Sequence, residues 1–180
     1  QKEKAKMLFY SVRDEIKYNP YLALCSIEGY RASKTLQRGE GFCIQKAVVL
    51  TALARAVGIP ARLGFADVRN YLAPKELIEL MGTNMFVYHG YSELWLNNRW
   101  VKATPAFNIE MCNKFDLKPV EFDGVTDAVF HERNKKGELH IEYIKYHGTY
   151  ADLPFEEIMQ AFINQYPITE EEIKKLERVE

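Results

Sequence analysis

The stretch GEGFCIQKAVVLTALARAVGIPAR, residues 39–62, contains the features that decide the fold. Cys43 follows two glycines and a phenylalanine, and it opens a run over residues 43–57 that has almost no polar face. A helix that is apolar nearly all round is a central, buried helix. Gly58 then supplies a C-terminal stop, and Pro60 prevents continuation. The stretch therefore predicts a buried helix over 43–57 with a thiol at its start.

The position of Cys43 allows two interpretations, packing and chemistry. Cysteine is a small hydrophobe that protein cores accept readily, so an inert role is the usual one. A helix N-terminus, however, presents unpaired N–H groups and about half a positive charge, which favour a thiolate and can hold an oxyanion. Gly39 and Gly41 leave room beside the sulfur for a substrate backbone. Together these features make Cys43 a candidate nucleophile.

Composition limits the class of protein and its partners. Nearly half of the 180 residues are hydrophobic, which is enough for one domain with a real core. Lys plus Arg (24) nearly balance Asp plus Glu (25), which argues against a nucleic-acid partner. No segment approaches the roughly 18 consecutive apolar residues of a membrane span, so no membrane partner is expected. Cys25, Cys43 and Cys112 form no disulfide framework, which predicts reduced thiols and a cytoplasmic location.

Helical, strand and helical patterns follow one another along the chain. We expect helices over 4–18, 43–57, 73–82, 152–167 and 169–180, strands over 61–68, 85–96 and 99–103, and a hairpin of 128–132 with 139–146. This order predicts one α+β domain over residues 1–180. The expected core residues are Leu8, Val12, Ile16, Val48, Leu50, Leu53, Val57, Phe86, Leu94, Val101, Ile158 and Phe162.

A nucleophilic cysteine needs a base within hydrogen-bond reach, and His89 is the best candidate. If residues 85–96 form a strand, then His89, Tyr91, Glu93 and Trp95 share one face. A lone histidine in an aromatic strand is more often a hydrogen-bonded core or surface residue. The combination with a cysteine at a helix start, and the order of the elements, favour a catalytic role.

These two features together resemble the transglutaminase-like superfamily. The helix that starts at Cys43 ends in GIPAR (58–62), and HGYSELWLNNRWVKATP (89–105) is similar to the family's strand pair, H-x-W-x-E-V-Y-L followed by W-V-x-x-D-P. The resemblance covers roughly residues 4–107, and we interpret 108–180 as a family-specific extension that completes the sheet. It implies a papain-like α+β domain in which the nucleophile helix packs on an antiparallel sheet.

By that resemblance, Cys43 is the nucleophile and His89 is the general base and acid. The third member of the family's triad is normally an aspartate just before the proline of the second strand, and this chain has Thr104 there. A threonine hydroxyl can orient the imidazole by accepting a hydrogen bond, but it supplies no charge to stabilise the imidazolium. Asn108 and Asp123 are the alternative orienting residues.

Gln37, Phe42 and Tyr91 are the candidates for the rest of the site. A glutamine upstream of the cysteine is an oxyanion donor in papain-like proteases, which suggests this role for Gln37, although an exposed surface position is the commoner role. Phe42 directly precedes the nucleophile. Tyr91 shares the predicted face of His89, so it is a candidate wall of a substrate groove, although strand aromatics more often belong to the core.

The leading hypothesis is cysteine-dependent acyl transfer on peptide-like amides, through a thioester and without a metal or other cofactor. The substrate would be a peptide or protein amide. Release by water would make the protein a protease or amidase, and release by an amine would make it a transglutaminase. The second hypothesis, which the missing aspartate motivates, is a non-catalytic domain that binds peptides or partner proteins, with Tyr91 or Phe42 filling the groove.

A third hypothesis is a metal-dependent hydrolase. Three further histidines lie close together in the sequence, near Glu142 and Asp152, and imidazoles with carboxylates can bind zinc. Their spacing is not that of a compact motif such as H-E-x-x-H. The residues concerned are His131, His140 and His147.

Overall fold

The computed structural model describes residues 1–22 and 26–167. In chain order these form α1 (Lys2–Glu15), β1 (Lys17–Tyr18), a 3-10 helix (Ile27–Tyr30), α2 (Ala32–Arg38), β2 (Glu40–Gly41), α3 (Cys43–Ala56), β3 (Ala61–Asn70), α4 (Lys75–Met81), β4 (Met85–Leu96), β5 (Arg99–Ala103), α5 (Ile109–Lys114), β6 (Ile141–Tyr150) and α6 (Phe155–Gln165). Cys25 and the predicted helix over 169–180 lie outside the described residues.

The main sheet is antiparallel and has the strand order β5-β4-β3-β6. β4 and β5 form the predicted hairpin, and both turn residues, Asn97 (φ 51°) and Asn98 (φ 61°), have the left-handed backbone that a two-residue hairpin turn requires. β1 and β2 pair in parallel as a separate two-stranded sheet. With helices packed around the sheet, the α+β class predicted from the order of the elements is confirmed.

The strand β6 differs from its predicted pairing. We expected residues 139–146 to form a hairpin with 128–132, but β6 pairs antiparallel with β3, from Ile141 opposite Asn70 to Tyr150 opposite Leu63. Residues 128–132 form no strand, and Ala128 makes only an isolated bridge to Ala103. The alternating pattern of a strand is satisfied equally well by a near or a distant partner, so the local sequence does not select between them.

The helix α3 is the centre of the domain and packs against β4 as well as α1 and α2. Gly90 of β4 permits this close approach, because a Cβ built there would lie 2.8 Å from the Ile44 Cα. Ser92 of β4 donates to the carbonyl of Ala47 (2.9 Å) and accepts from the hydroxyl of Thr51 (3.0 Å). The strand and the helix are therefore joined by both steric fit and buried hydrogen bonds.

A buried lysine on α3 also completes the end of α1. The Lys46 Nζ donates to the carbonyl oxygens of Arg13 (2.9 Å) and Ile16 (2.6 Å), which lie where α1 has no further turn to satisfy them. Burial lowers the pKa of this amine to about 7, against the raising effect of Asp14. The description of 43–57 as almost without polar residues missed this role.

The predicted core is largely correct. Val12, Ile16, Leu50, Leu94, Val101 and Ile158 are buried, whereas Leu8, Val48, Leu53, Phe86 and Phe162 are partly buried. Val57 is wrong: it is 41% exposed, because it caps the C-terminus of α3 beyond the buried face.

Candidate active site

Cys43 is the first residue of α3, as predicted, and its side chain is partly buried. The burial of the sulfur raises the pKa of this thiol to about 11. The backbone N–H groups of Gly90, Ile44 and Cys43 itself act in the opposite direction and lower that pKa. The helix start therefore has the effect expected from the sequence, but desolvation outweighs it and the resting thiol stays protonated.

The N-terminus of α3 is closed by a residue that the sequence analysis did not single out. Gln45 Oε1 accepts a hydrogen bond from the Phe42 N–H (3.0 Å), and its Nε2 donates to the Gly29 carbonyl (3.1 Å). A glutamine at the third helical position is the available signal, since a capping box places one there. Gln37 lies exposed on α2, and Phe42 packs edge-on against Tyr30.

His89 lies on β4, immediately before Gly90, and is 3% exposed. Its ring packs on Phe130, with 4.6 Å between the ring centroids, and lies 6.0 Å from Tyr143. Its Nε2 atom is buried and has no hydrogen-bond partner. Burial lowers the pKa of this imidazole to about 3, so the ring is neutral near pH 7.

Thr104 follows β5 and is fully buried, but its Oγ1 makes no hydrogen bond. The hydroxyl lies close enough to Tyr143 to lower the pKa of that phenol, which burial raises. His89 and Thr104 thus share Tyr143 as a neighbour without bonding to each other. Of the alternative orienting residues, Asn108 is engaged elsewhere, because its Oδ1 accepts a hydrogen bond from the Tyr18 N–H (3.2 Å).

The Asp123 carboxylate closes a local turn and does not contact His89. Its Oδ1 accepts hydrogen bonds from the N–H groups of Val125 (2.7 Å) and Thr126 (2.8 Å), which lower the pKa of the carboxyl to about 2. No carboxylate among the described residues bonds to the His89 ring.

Tyr91 is buried and lies flat across the sheet. Its ring occupies the space where Gly64 has no side chain, since a Cβ there would lie 2.3 Å from the ring. Lys102 Nζ approaches the same ring at 5.7 Å. Tyr91 and Phe42 therefore do not fill a groove over His89, and the aromatic rings that pack against His89 are Phe130 and Tyr143.

The three remaining histidines make different contacts, although His131 is close enough to His140 to add to the lowering of that imidazole's pKa by burial. His131 Nε2 contacts the Pro119 carbonyl at 3.1 Å, His140 is buried beside Phe107, and His147 Nε2 lies 2.7 Å from Asp67. Within residues 1–22 and 26–167, no three His, Cys, Asp or Glu side chains are grouped so that they could hold a metal ion. The arrangement gives no support to the metal-dependent hypothesis.

The model of the transglutaminase-like superfamily matches residues 1–105. The chain belongs to the transglutaminase-like superfamily. Its fold is also similar to the crystal structure of a proposed cysteine protease from Cytophaga hutchinsonii, with 13% identity and a TM-score of 0.43, over 82% of this chain. The match spans 43% of that protein. No curated protein sequence matches the chain.

Membership of the transglutaminase-like superfamily supports a cysteine-dependent enzymatic activity in general terms. The resemblance seen in the sequence predicts Cys43 as nucleophile and His89 as base, with Thr104 where the family's aspartate is expected. In the part of the chain that the structure describes, no helix is long and apolar enough to cross a membrane.

In this transglutaminase-like domain, aromatic rings surround the histidine. Phe107, Phe130 and Tyr143, which we call the aromatic layer, all lie beyond the family match. Phe107 and Phe130 stack with centroids 4.5 Å apart, and Phe130 and Tyr143 also line a cavity of about 440 Å³. No local pattern in the sequence connects these three aromatic residues with the site, because their contacts with His89 depend on residues that are distant along the chain.

Proposed function

We propose that the protein catalyses cysteine-dependent acyl transfer on peptide-like amides, with Cys43 as nucleophile and His89 as general base and acid. One observation supports this assignment above the others. His89 carries a buried ring nitrogen without a partner, and the N–H of the next residue, Gly90, is among the groups that lower the pKa of the Cys43 thiol. An unpartnered buried nitrogen costs about 1–3 kcal/mol, and functional sites are where such costs are retained.

The chemistry proceeds in two steps. As the sulfur attacks the amide carbonyl, the S–H proton moves to the free nitrogen of His89, and the carbonyl π electrons move to oxygen. The carbon–nitrogen bond then breaks, His89 returns the proton to the leaving amine, and a Cys43 thioester remains. Attack by water or by a second amine on the thioester releases the acyl group and restores the thiol.

The resting protonation states determine how the first step occurs. The thiol has a pKa of about 11 and the imidazole a pKa of about 3, so a preformed thiolate–imidazolium pair is strongly disfavoured. Proton transfer therefore accompanies carbon–sulfur bond formation rather than preceding it. In this mechanism the N–H groups of Cys43 and Ile44, which lower the pKa of the resting thiol, hold the oxyanion of the tetrahedral intermediate.

The test uses an activated acyl donor, an N-acyl amino acid p-nitrophenyl ester, with mass spectrometry of the intact and digested protein. We expect an acyl adduct on Cys43 that hydroxylamine releases, and none after Cys43→Ala. Cys112 is the internal control, because its thiol is buried and its pKa is also raised by burial. Absence of an adduct on Cys43 between pH 6 and 9 would count against the enzyme.

The replacement of the family's aspartate by Thr104 favours a second candidate, a non-catalytic domain that binds peptides or proteins. Thr104→Asp distinguishes the two, because position 104 shares the neighbour Tyr143 with His89, and a carboxylate close to an imidazole raises its pKa and stabilises the imidazolium. For an enzyme we expect acylation to accelerate roughly 10-fold or more relative to the matched uncharged variant Thr104→Asn. Equal rates in two variants that are both folded by melting temperature would favour the binding domain.

A further inference from the structure

A second imidazole–carboxylate pair lies on the strands that neighbour the site. Asp67 of β3 accepts two hydrogen bonds at the same Oδ1 atom, from His147 Nε2 at 2.7 Å and from the Tyr88 N–H at 3.1 Å. The two paired side chains are only 13% and 16% exposed. The Tyr88 ring stacks on His147 at 4.1 Å, with 16° between the planes. Asp67 thus joins β3, β4 and β6 at one point.

The backbone at this point is unusual. Tyr88 has φ 54°, in the left-handed region, which costs a residue with a bulky side chain roughly 1–3 kcal/mol. Val68 pairs with Phe86, and Ala66 pairs with His89, so Val87 and Tyr88 together stand opposite Asp67. This is a β-bulge, a feature that occurs frequently beside active sites and re-aims side chains there.

The bulge sets which face of β4 each site residue occupies. A one-residue shift in a strand moves every following side chain to the opposite face. With the bulge present, Gly90 faces Ile44 of α3, where a Cβ would lie 2.8 Å from backbone. His89 packs instead on Phe130. Without the bulge, the histidine would meet a space that admits only glycine.

We propose that Asp67 is a positioning residue for the candidate site. By accepting the Tyr88 N–H, its carboxylate holds the bulge that places Gly90 against the start of α3 and His89 against the aromatic layer. His147 fixes the carboxylate from the other side. This inference rests on the proposed function for its catalytic consequence, but its structural consequence at Gly90 is measurable without turnover.

The experiment compares Asp67→Ala, which removes the acceptor, with Asp67→Asn, whose amide oxygen still accepts the Tyr88 N–H. Asp123→Ala is the matched control, because that carboxylate also holds two backbone N–H groups, in the turn of residues 123–126. Amide hydrogen exchange by NMR is measured at Gly90 and, as references in the same sheet, at Leu94 and Val101. Acylation kinetics are measured on the same samples.

In Asp67→Ala we expect exchange at Gly90 to accelerate roughly 10-fold relative to the two reference amides, because the bulge opens locally. We expect kcat to fall roughly 10-fold with KM within about threefold, since misplacement affects the chemical step. Asp67→Asn and Asp123→Ala should stay within about threefold of wild type in both measurements. Should Asp67→Ala itself fail to fold, near-wild-type values in Asp67→Asn still support the acceptor role.

Two results would overturn the proposal. One is uniform acceleration at Gly90, Leu94 and Val101 in Asp67→Ala, which would indicate a general stability role. The other is loss of Gly90 protection in Asp67→Asn, which would show that the retained acceptor is not what matters. A wild-type protein without acyl adduct would refute the proposed function instead, and the exchange ratios would still decide the role of Asp67.

Discussion

The α3 side and the aromatic-layer side of the candidate site differ in whether their buried polar groups make hydrogen bonds. On the α3 side, Gln45, Lys46 and Thr51 are buried and each makes hydrogen bonds. On the aromatic-layer side, three buried side-chain atoms of the described residues have no partner, namely His89 Nε2, Thr104 Oγ1 and His140 Nδ1. Each of these three residues neighbours Phe107, Phe130 or Tyr143.

This difference suggests different roles for the two sides: α3 holds the nucleophile in place, whereas the aromatic layer surrounds the proposed base. Bonded polar groups on α3 stabilise one arrangement of helix, strand and α1, which a nucleophile requires. Unpartnered groups beneath the aromatic layer cost free energy in the resting state, and they leave His89 able to accept a proton. The comparison predicts that substitutions on the α3 side reduce stability, whereas those beneath the aromatic layer change activity or the acid sensitivity of the fold and leave stability at neutral pH nearly unaffected.

The largest expected effect is on activity, at His89. His89→Ala removes the proposed general base, so we expect the acylation rate to fall roughly 10²–10⁴-fold. His131→Ala is the control, since that ring is exposed and contacts only the Pro119 carbonyl by hydrogen bond. Stopped-flow release of p-nitrophenol measures both. A similar rate in His89→Ala and wild type would contradict the assignment of the proposed base to the aromatic-layer side.

On the α3 side, Lys46→Met should give the largest loss of stability. Two buried carbonyl oxygens at the end of α1 lose their donor, which we expect to cost about 2–4 kcal/mol near pH 9.5. The folded pKa of about 7 lies below the unfolded value of 10.5, so wild-type stability falls as pH decreases through this window. The difference between variant and wild type should therefore be smaller at pH 7, by about 1–3 kcal/mol.

Urea unfolding at the two pH values measures this difference. Constant spacing between the two unfolding curves would show that Lys46 is not neutralised by folding. Lys102→Met is a suitable control, because that lysine lies over the rings of Tyr91 and Tyr146 rather than in a buried hydrogen-bonded position.

Beneath the aromatic layer, His140 should make the protein sensitive to acid. Burial is the main cause that lowers the pKa of this imidazole to about 4, so the unfolded chain takes up its proton first as pH falls below 6.5. We expect His140→Phe to reduce the loss of unfolding free energy between pH 7 and 4 by about 2 kcal/mol. Melting temperatures of both proteins across that range provide the measurement, and parallel curves would contradict it.

The smallest expected effect is also the most direct comparison of the two sides. Thr51 and Thr104 are both buried threonines, but only Thr51 makes a hydrogen bond, to Ser92 at 3.0 Å. Thr51→Val should destabilise the protein by about 1–2 kcal/mol, because the buried Ser92 hydroxyl loses the hydrogen bond that it accepts, whereas Thr104→Val should stay within about 0.5 kcal/mol. Equal losses in chemical denaturation would mean that Thr104 has a bonding role not seen here.

Local pattern was sufficient for the elements that position the nucleophile. The apolar run from Cys43, ended by Gly58 and Pro60, specified α3 to within one residue, and Asn97-Asn98 specified the β4–β5 hairpin. Both signals depend on neighbours in the chain, so they are visible without tertiary contacts.

What the sequence could not supply is non-local. Nothing in the residues around 141–150 indicates that this strand pairs with β3, or that Phe130 and Tyr143 pack against His89. The pKa of Cys43 was also misjudged from the sequence, because the helix terminus is visible there but the burial of the sulfur is not. The strand pairing, the packing on His89 and the burial of Cys43 all depend on residues that are distant along the chain.

The pairing of β6 with β3 has a consequence for biosynthesis. The segment that matches the superfamily, residues 1–105, contains β3 but not its outer neighbour. During translation, the edge of β3 that pairs with β6 therefore stays unpaired until the chain has emerged past Tyr150. An unpaired strand edge can pair with other chains. Fragments that stop near residue 107 should be aggregation-prone even though they include every residue assigned to catalysis.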